Sequence, residues 1–128
     1  MKKYRKQKQV LITGGSGFVG HHVIEYLLNE TEWSIVSLDR SSYSENLDRI
    51  EEVVQNSNLF KKRIKVVWHD LKASLNPQIV KSIGRVDYII HLASGSHIDK
   101  SIQDPMEFVM NNVVGTANLL DYARLNLK

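Results

Sequence analysis

The sequence predicts an α/β protein built on a parallel, doubly wound sheet, with strand order 3-2-1-4. Three observations carry this reading. Short apolar runs alternate with segments of helical periodicity along the chain. A glycine-rich turn, T-G-G-S-G-F-V-G (Thr13 to Gly20), separates the first apolar run from the first helical segment. An aspartate, Asp39, closes the second apolar run. Crossovers between parallel strands are right-handed, which leaves few topologies, and 3-2-1-4 is the first part of such a sheet.

The elements follow in order. Gln9 to Thr13 is a short apolar run ending at glycines, the pattern of a buried strand. Phe18 to Asn29 carries Phe18, Val19, Val23, Tyr26 and Leu27 at helical spacing. Ser34 to Asp39 is the second strand. Leu47 to Val54 places Leu47, Ile50, Val53 and Val54 on one helix face. Ile64 to Trp68 is the third strand. Asn76-Pro77 suits the N-cap and first position of a helix that runs to about Ile83 and stops at Gly84. Val86 to Leu92 is the fourth strand, expected to be buried on both faces. Asp104-Pro105 opens a last helix reaching toward Leu127, with Phe108, Val109, Val113, Leu119, Leu120 and Ala123 as its apolar set. Met106 and Met110 share that spacing and are expected in the core.

Composition narrows the function classes. The chain has 128 residues, ordinary apolar and charged fractions, and no cysteine. Disulfides, thiolate zinc sites and thiol catalysis are therefore excluded. The net charge of +3 resides in a tail, residues 1–8, which holds Lys2, Lys3, Arg5, Lys6 and Lys8. The remainder is mildly acidic, with 12 basic against 14 acidic residues. A basic tail can touch nucleic acid or anionic lipid, but a solvated terminus is the expectation, with no nucleic-acid partner. No apolar run approaches membrane-spanning length, and none after the basic start resembles a signal peptide. A soluble cytoplasmic protein is expected, with residues 9–128 as one dinucleotide-binding domain.

The glycine turn is the strongest motif. Gly14, Gly17 and Gly20 follow a G-x-x-G-x-x-G spacing between strand and helix. Gly14 permits the tight turn, Gly17 lets a pyrophosphate approach the backbone, and Gly20 lets helix and strand pack closely. The helix N-terminus then offers free N–H groups to phosphates. No Gly-Lys-Ser/Thr follows, which argues against a Walker P-loop. Asp39 lies 19 residues after Gly20, where a carboxylate accepts the adenosine ribose hydroxyls and repels a 2′-phosphate, favouring NAD over NADP. Arg40, beside it, could receive that phosphate instead. Asp70, after the third strand, could bond the adenine amino group. The fold is then the N-terminal half of a Rossmann-type sheet.

A second group follows the fourth strand: H-L-A-S-G-S-H-I-D-K-S, His91 to Ser101. Ala93, Ser94, Gly95 and Ser96 are small enough for close approach of a cofactor. His97, Asp99, Lys100 and Ser101 place polar groups near a substrate. His97 and Asp99 lack a third metal ligand, and no nucleophile elbow is present. His91 reads as a satisfied core histidine, and His21 and His22 as first-turn helix residues.

Five blocks together, T-G-G-S-G-F-V-G, Asp39, Asp70-Leu71, H-L-A-S and N-N-V-V-G-T-A-N-L-L, resemble the extended short-chain dehydrogenase/reductases that act on nucleotide sugars. The likeness spans Val10 to Arg124. Within that family, D-R-S-S-Y-S-E-N-L (Asp39 to Leu47) and S-H-I-D-K-S-I-Q-D-P (Ser96 to Pro105) are similar to patterns of the dTDP-glucose 4,6-dehydratase group. Ser94-Gly95 departs from the Ala-Glu usual there. UDP-sugar 4-epimerases and UDP-glucuronate decarboxylases share most of the other blocks.

The resemblance implies NAD as cofactor and a nucleotide sugar as partner. It implies that Phe18 and Val19 lie along the pyrophosphate, Asp39 at the ribose, and Asp70 with Leu71 at the adenine. Leu92, Ala93, Ser94 and Ser96 would line the NAD. Asn111 or Asn112 would steady the cofactor or the local helix, and Ser96 and His97 would face the sugar. The family's chemistry is hydride transfer at sugar C4 followed by loss of water. The Tyr-x-x-x-Lys helix that supplies its base does not occur here: of the tyrosines 4, 26, 43, 88 and 122, only Tyr4 has a lysine four residues on, Lys8, and that pair lies in the basic tail ahead of the first strand. The chain is thus expected to stop before the catalytic and substrate regions and to be inactive alone. With strand four as an exposed edge, it is expected to be marginal, homodimeric or prone to aggregation. Two other readings are a non-catalytic NAD-binding module and an interaction domain with an empty cradle.

Overall fold

The computed structural model describes residues 7–40, 47–55 and 57–127. Among them, β1 (Gln9–Thr13), β2 (Ser34–Asp39), β3 (Ile64–Trp68) and β4 (Tyr88–His91) form a four-stranded sheet in the order β3-β2-β1-β4. All three pairings are parallel, with Thr13 opposite Leu38 and His91, and Asp39 opposite Trp68. The anticipated fold class and strand order are those observed. The carboxyl ends of all four strands lie along one edge of the sheet, and the loops leaving that edge carry the candidate site.

Alternation along the strands splits the core in two. Val10 and Ile12 point to one face, with Ile24, Leu27, Leu28, Ile35, Ile50 and Val54. Leu11 points to the other, with Val36, Leu38, Val67, Leu71, Ile83, Leu119 and Tyr122. β1 has a strand on each side and helices over both faces, so its apolar run is continuous rather than alternating.

The helices are α1 (Phe18–Glu30), α2 (Leu47–Val54), α3 (Asn58–Arg63), α4 (Pro77–Ile83), α5 (Ile98–Gln103), α6 (Pro105–Val109) and α7 (Gly115–Asn126). α4 has the expected punctuation: the Asn76 side chain accepts from Ile79 N at 3.0 Å, and Gly84 ends the helix at φ 75°. α3 and α5 were not anticipated. Each has six residues, too few for a periodic apolar face. Between α6 and α7 the chain makes a π-helical turn, Met110–Val114.

Three expectations are corrected. In α1 the buried face is Gly20, Ile24, Leu27 and Leu28, while Phe18, Val19 and Tyr26 are exposed. The stripe that packs contains a glycine and lies turned from the one read from bulky residues. β4 is shorter than Val86 to Leu92 and only partly buried, with Tyr88 exposed, because it is an edge strand among the described residues. In the last helical segment Leu119 and Tyr122 reach the core. Met106, Val109, Met110, Val113 and Leu120 are instead exposed.

The tail is tied down at its inner end. Lys8 Nζ lies 3.4 Å from Asp87 Oδ1, and Asp87 Oδ2 accepts from Gln9 N at 2.9 Å. That backbone N–H, with Lys8, holds the Asp87 carboxyl below the usual carboxylate range.

The corrected face of α1 is testable. Ile24→Ala is expected to cost about 2–4 kcal/mol in denaturant unfolding. Tyr26→Ala is expected to cost under about 0.5 kcal/mol. Equal costs would restore the other face.

Candidate functional site

After β1 the chain turns at Gly14, whose φ of 71° lies in the left-handed region. A Cβ on Gly14 would stand 2.9 Å from the backbone N and Cα of Ala93, so the loop after β4 presses directly on this turn. A Cβ on Gly20 would fall on the Gly14 carbonyl oxygen, which sets how near α1 comes to the turn. Gly17 N donates to Gly14 O at 3.1 Å, and Gly17 is the N-cap of α1 without a side-chain cap. The first-turn N–H groups and the positive end of the helix dipole are left facing out of the loop. Phe18, 71% exposed, and Val19 stand at this mouth. The His21 ring donates through Nδ1 to Gly17 O at 2.9 Å and packs against His22 and Phe18.

Asp39 is only 5% exposed. Its Oδ1 accepts from Ser16 N at 3.0 Å and Ser16 Oγ at 2.6 Å, and its Oδ2 from Ser37 Oγ at 2.5 Å. Three donors thus satisfy a buried charge that would otherwise be costly. Ser37 and Asp39 share a face of β2, two residues apart. Ser37 also lies directly beneath Gly15, where a Cβ would collide with its hydroxyl. Ser16, Ser37 and Gly15 were not singled out from the sequence, although all three lie within the quoted segments. A ribose reaching Asp39 would take up its remaining acceptor capacity or replace a serine hydroxyl.

The ends of β2 and β3 meet in a charged cluster. Lys72 Nζ donates to Glu107 Oε1 at 3.0 Å and stands 3.6 Å from Asp70 Oδ2, while Asp70 Oδ1 accepts from Lys72 N at 2.9 Å. Arg40 Nη1 donates to Asn111 Oδ1 at 3.1 Å and lies 3.9 Å from Glu107 Oε1. Asn111 Nδ2 donates to the same Glu107 oxygen at 3.2 Å. The bond from Lys72 holds the Glu107 carboxyl below its usual range, and the same bond raises the Lys72 ammonium. Leu71 is buried; its carbonyl accepts from Asn118 Nδ2 at 2.6 Å, and Gly115 packs against its side chain.

The end of β4 is neutral. Thr116 Oγ1 donates to Asn112 O at 2.6 Å, so it accepts from His91 Nε2 at 2.9 Å. The other ring nitrogen, Nδ1, is 2.6 Å from Thr13 Oγ1. Thr13 Oγ1 also accepts from Leu92 N and Ala93 N, both at 3.2 Å. Proton counting therefore gives a neutral ring protonated at Nε2, receiving the Thr13 hydroxyl proton at Nδ1. The satisfied histidine anticipated from the sequence is this one, with Thr13 and Thr116 as partners the sequence did not show.

Asn112 pairs with both backbone groups of Gly95, accepting from its N at 2.7 Å and donating to its O at 3.1 Å. A Cβ on Gly95 would meet the Phe108 ring at 2.9 Å, which accounts physically for a glycine there. Ala93 lies against Gly14, whereas Ser94, Ser96 and His97 are exposed, His97 as N-cap of α5. Among the described residues no three His, Asp or Glu side chains converge to hold a metal. Of the D-R-S-S-Y-S-E-N-L block, 41–46 lie outside the described residues.

The structure thus brings Gly14, Gly17, Gly20 and Asp39 together around one turn. It gathers Arg40, Asp70, Leu71 and Asn111 beside them, and sets Leu92 and Ala93 against the same turn. Ser94, Ser96 and His97 stand at the outer end of the loop after β4.

Burial lowers the His91 pKa below its ordinary value near 6.5. The unfolded chain takes up this proton first as pH falls, so the contribution is complete above about 6.5 and is lost below it, toward the folded-state value. Unfolding free energy should drop between pH about 7.5 and about 5 by more in the wild type than in His91→Gln. Equal drops in a pH series of urea melts would refute this.

Comparison with known proteins follows the geometry. The sequence pattern of the GDP-mannose 4,6 dehydratase family matches residues 11–128. The dTDP-glucose 4,6-dehydratase of Escherichia coli is 35% identical over 116 residues, covering 91% of this chain and 31% of that protein. The dTDP-glucose 4,6-dehydratase of Neisseria meningitidis is 34% identical, covering 91% and 32%. The UDP-glucose 4-epimerase of Bifidobacterium longum, solved in complex with NAD+ and UDP, superposes with a TM-score of 0.73 at 27% identity, covering 91% and 33%. The chain spans about a third of the length of these relatives.

Proposed function

The chain belongs to the GDP-mannose 4,6 dehydratase family of NAD-dependent epimerases and dehydratases, and from that premise we propose that it forms the NAD-binding part of a nucleotide-sugar 4,6-dehydratase. The observation that carries the cofactor assignment is the cradle itself. The uncapped start of α1 leaves donors for a pyrophosphate, and Gly14 and Gly20 let the backbone of the turn, the helix and the loop after β4 close up around it. Asp39 closes β2 one turn away, where a ribose is read.

Each residue then has a role. The N–H groups of Phe18 and Val19 donate to the pyrophosphate, and the Phe18 ring covers it from solvent. Asp39 accepts from the adenosine ribose, and Asp70 and Leu71 border the adenine. Leu92, Ala93, Ser94 and Ser96 line the nicotinamide half, held in position by the Thr13–His91 pair and by the Asn112–Gly95 pair. Ser96 and His97 face the sugar nucleotide. Bound NAD would supply the hydride acceptor for the sugar.

The likeness to dTDP-glucose 4,6-dehydratases supports a dehydratase over an epimerase, because both curated relatives named above carry that activity. The Ser94-Gly95 departure leaves the sugar and its base to experiment. The one Tyr-x-x-x-Lys spacing between residues 1 and 128, Tyr4 with Lys8, lies in the basic tail ahead of β1 rather than in a helix after β4, so the base is assigned to no residue of this cofactor-binding part.

Isothermal titration of the folded 128-residue chain should show NAD binding and much weaker NADP binding. Asp39→Ala should weaken NAD about tenfold or more, the loss of charge-assisted bonds to the ribose. A folded sample that binds neither nucleotide would overturn the cofactor assignment. The chain alone should form no 4-keto sugar from dTDP-glucose; measurable product would contradict the role of cofactor half.

A further inference from the structure

Arg40, Lys72 and Glu107, in the charged cluster beside Asp39, have no part in the roles proposed above, yet they sit where nucleotide choice is made. Arg40 directly follows the ribose-reading aspartate, the position from which an arginine can receive a 2′-phosphate. Here its guanidinium is engaged elsewhere: Asn111 Oδ1 accepts from it at 3.1 Å, and Glu107 Oε1 lies at 3.9 Å. The second cation of the cluster, Lys72, is spent on the same Glu107 oxygen at 3.0 Å. We propose that Glu107 is a specificity-determining residue, excluding the 2′-phosphorylated dinucleotide by occupying the two cations, Arg40 and Lys72, that would otherwise bind the phosphate.

This inference rests on the reading of the chain as an NAD-binding one. The Glu107 carboxylate and a 2′-phosphate compete for the same cations. A 2′-phosphate dianion near Asp39 is repelled by that carboxylate and needs cationic donors to offset it. To supply them Lys72 would have to give up its bond to Glu107 Oε1 and Arg40 its attraction to the same oxygen, leaving the Glu107 carboxylate with only the Asn111 amide as partner. NAD carries no charge at that ribose position and loses nothing. Glu107 reaches the cluster because it lies in the first turn of α6, whose N-cap Asp104 accepts from Glu107 N at 3.2 Å. That turn directs the side chain toward the ends of β2 and β3, so α6 takes part in nucleotide choice without being a glycine-loop element.

The test is equilibrium titration of the 128-residue chain with NAD and with NADP, for wild type, Glu107→Gln and the double variant Arg40→Leu/Glu107→Gln. Glu107→Gln keeps the shape and hydrogen-bonding reach of the side chain and removes its charge. The ratio of the NADP to the NAD dissociation constant should fall about five- to tenfold in Glu107→Gln, the scale of two partly exposed ion pairs. It should fall back about halfway to the wild-type ratio in the double variant, in which Lys72 alone stays free of Glu107. The gain should shrink with added salt. An unchanged ratio in Glu107→Gln, or a gain left undiminished by loss of Arg40, overturns the proposal while NAD binding by the wild type stands. A folded wild type that binds neither nucleotide overturns the NAD reading, and this inference with it.

Discussion

A carboxylate buried at the end of β2 governs the shape of the whole site. Asp39 cannot sit at 5% exposure as a bare charge. Its three donors come from Ser16, twice, and Ser37. Satisfying it pulls the middle of the glycine loop down onto β2. With Ser16 held there and Ser37 beneath, Gly15 has no room for a side chain. The turn at Gly14 and the start of α1 are set as a consequence, and the free N–H groups of the helix end are aimed before any ligand arrives. A loop ordered in advance leaves less conformational freedom to be lost on binding.

A second linkage secures the other wall. β1 leads toward β2 and β3 on one side and borders β4 on the other, so the strand order reverses between β1 and β4. Ligands of such sheets bind in the crevice at that point. Here Gly14 and Ala93 meet, and a chain of neutral hydrogen bonds runs from the Leu92 and Ala93 amides through Thr13, His91 and Thr116 to Asn112 O. Asn112 also grips Gly95. The π-helical turn serves both walls: Asn111 reaches toward the end of β2 and Asn112 toward the loop after β4.

The parts that were legible in the sequence are those with local causes. Gly14, Gly17 and Gly20 announce a turn and a close approach by their spacing. Asn76, Pro77 and Gly84 bracket α4 with cap chemistry. The parts that were not legible depend on partners distant in sequence. Ser16 serves a carboxylate 23 positions on, and Thr13 a ring 78 positions on. Spacing cannot show such pairs. The face of α1 was misread for a different reason: its stripe Gly20, Ile24, Leu27, Leu28 begins with a glycine, which a reading for bulky apolar residues passes over. Met106, in α6, and Met110, in the π-helical turn, have core spacing but are exposed.

The two walls differ in chemistry, and that difference constrains what can lie between them. The ends of β2 and β3 present Asp39, Arg40, Asp70 and Lys72, joined by Glu107 from α6. The end of β4 presents small side chains and a histidine whose pKa burial lowers and whose ring nitrogens are taken up by Thr13 and Thr116. The glycine loop and the start of α1 lie between, where the first-turn N–H groups of the helix have no partner in its ladder. A ligand that suits all three regions has a polar, hydroxyl-bearing end, an anionic middle and a flatter end that tolerates close backbone contact. A mononucleotide would use only the first two regions. The neutral wall, with its hydrogen bonds directed inward to order the loop rather than outward, is what favours a dinucleotide over a simple phosphate ester.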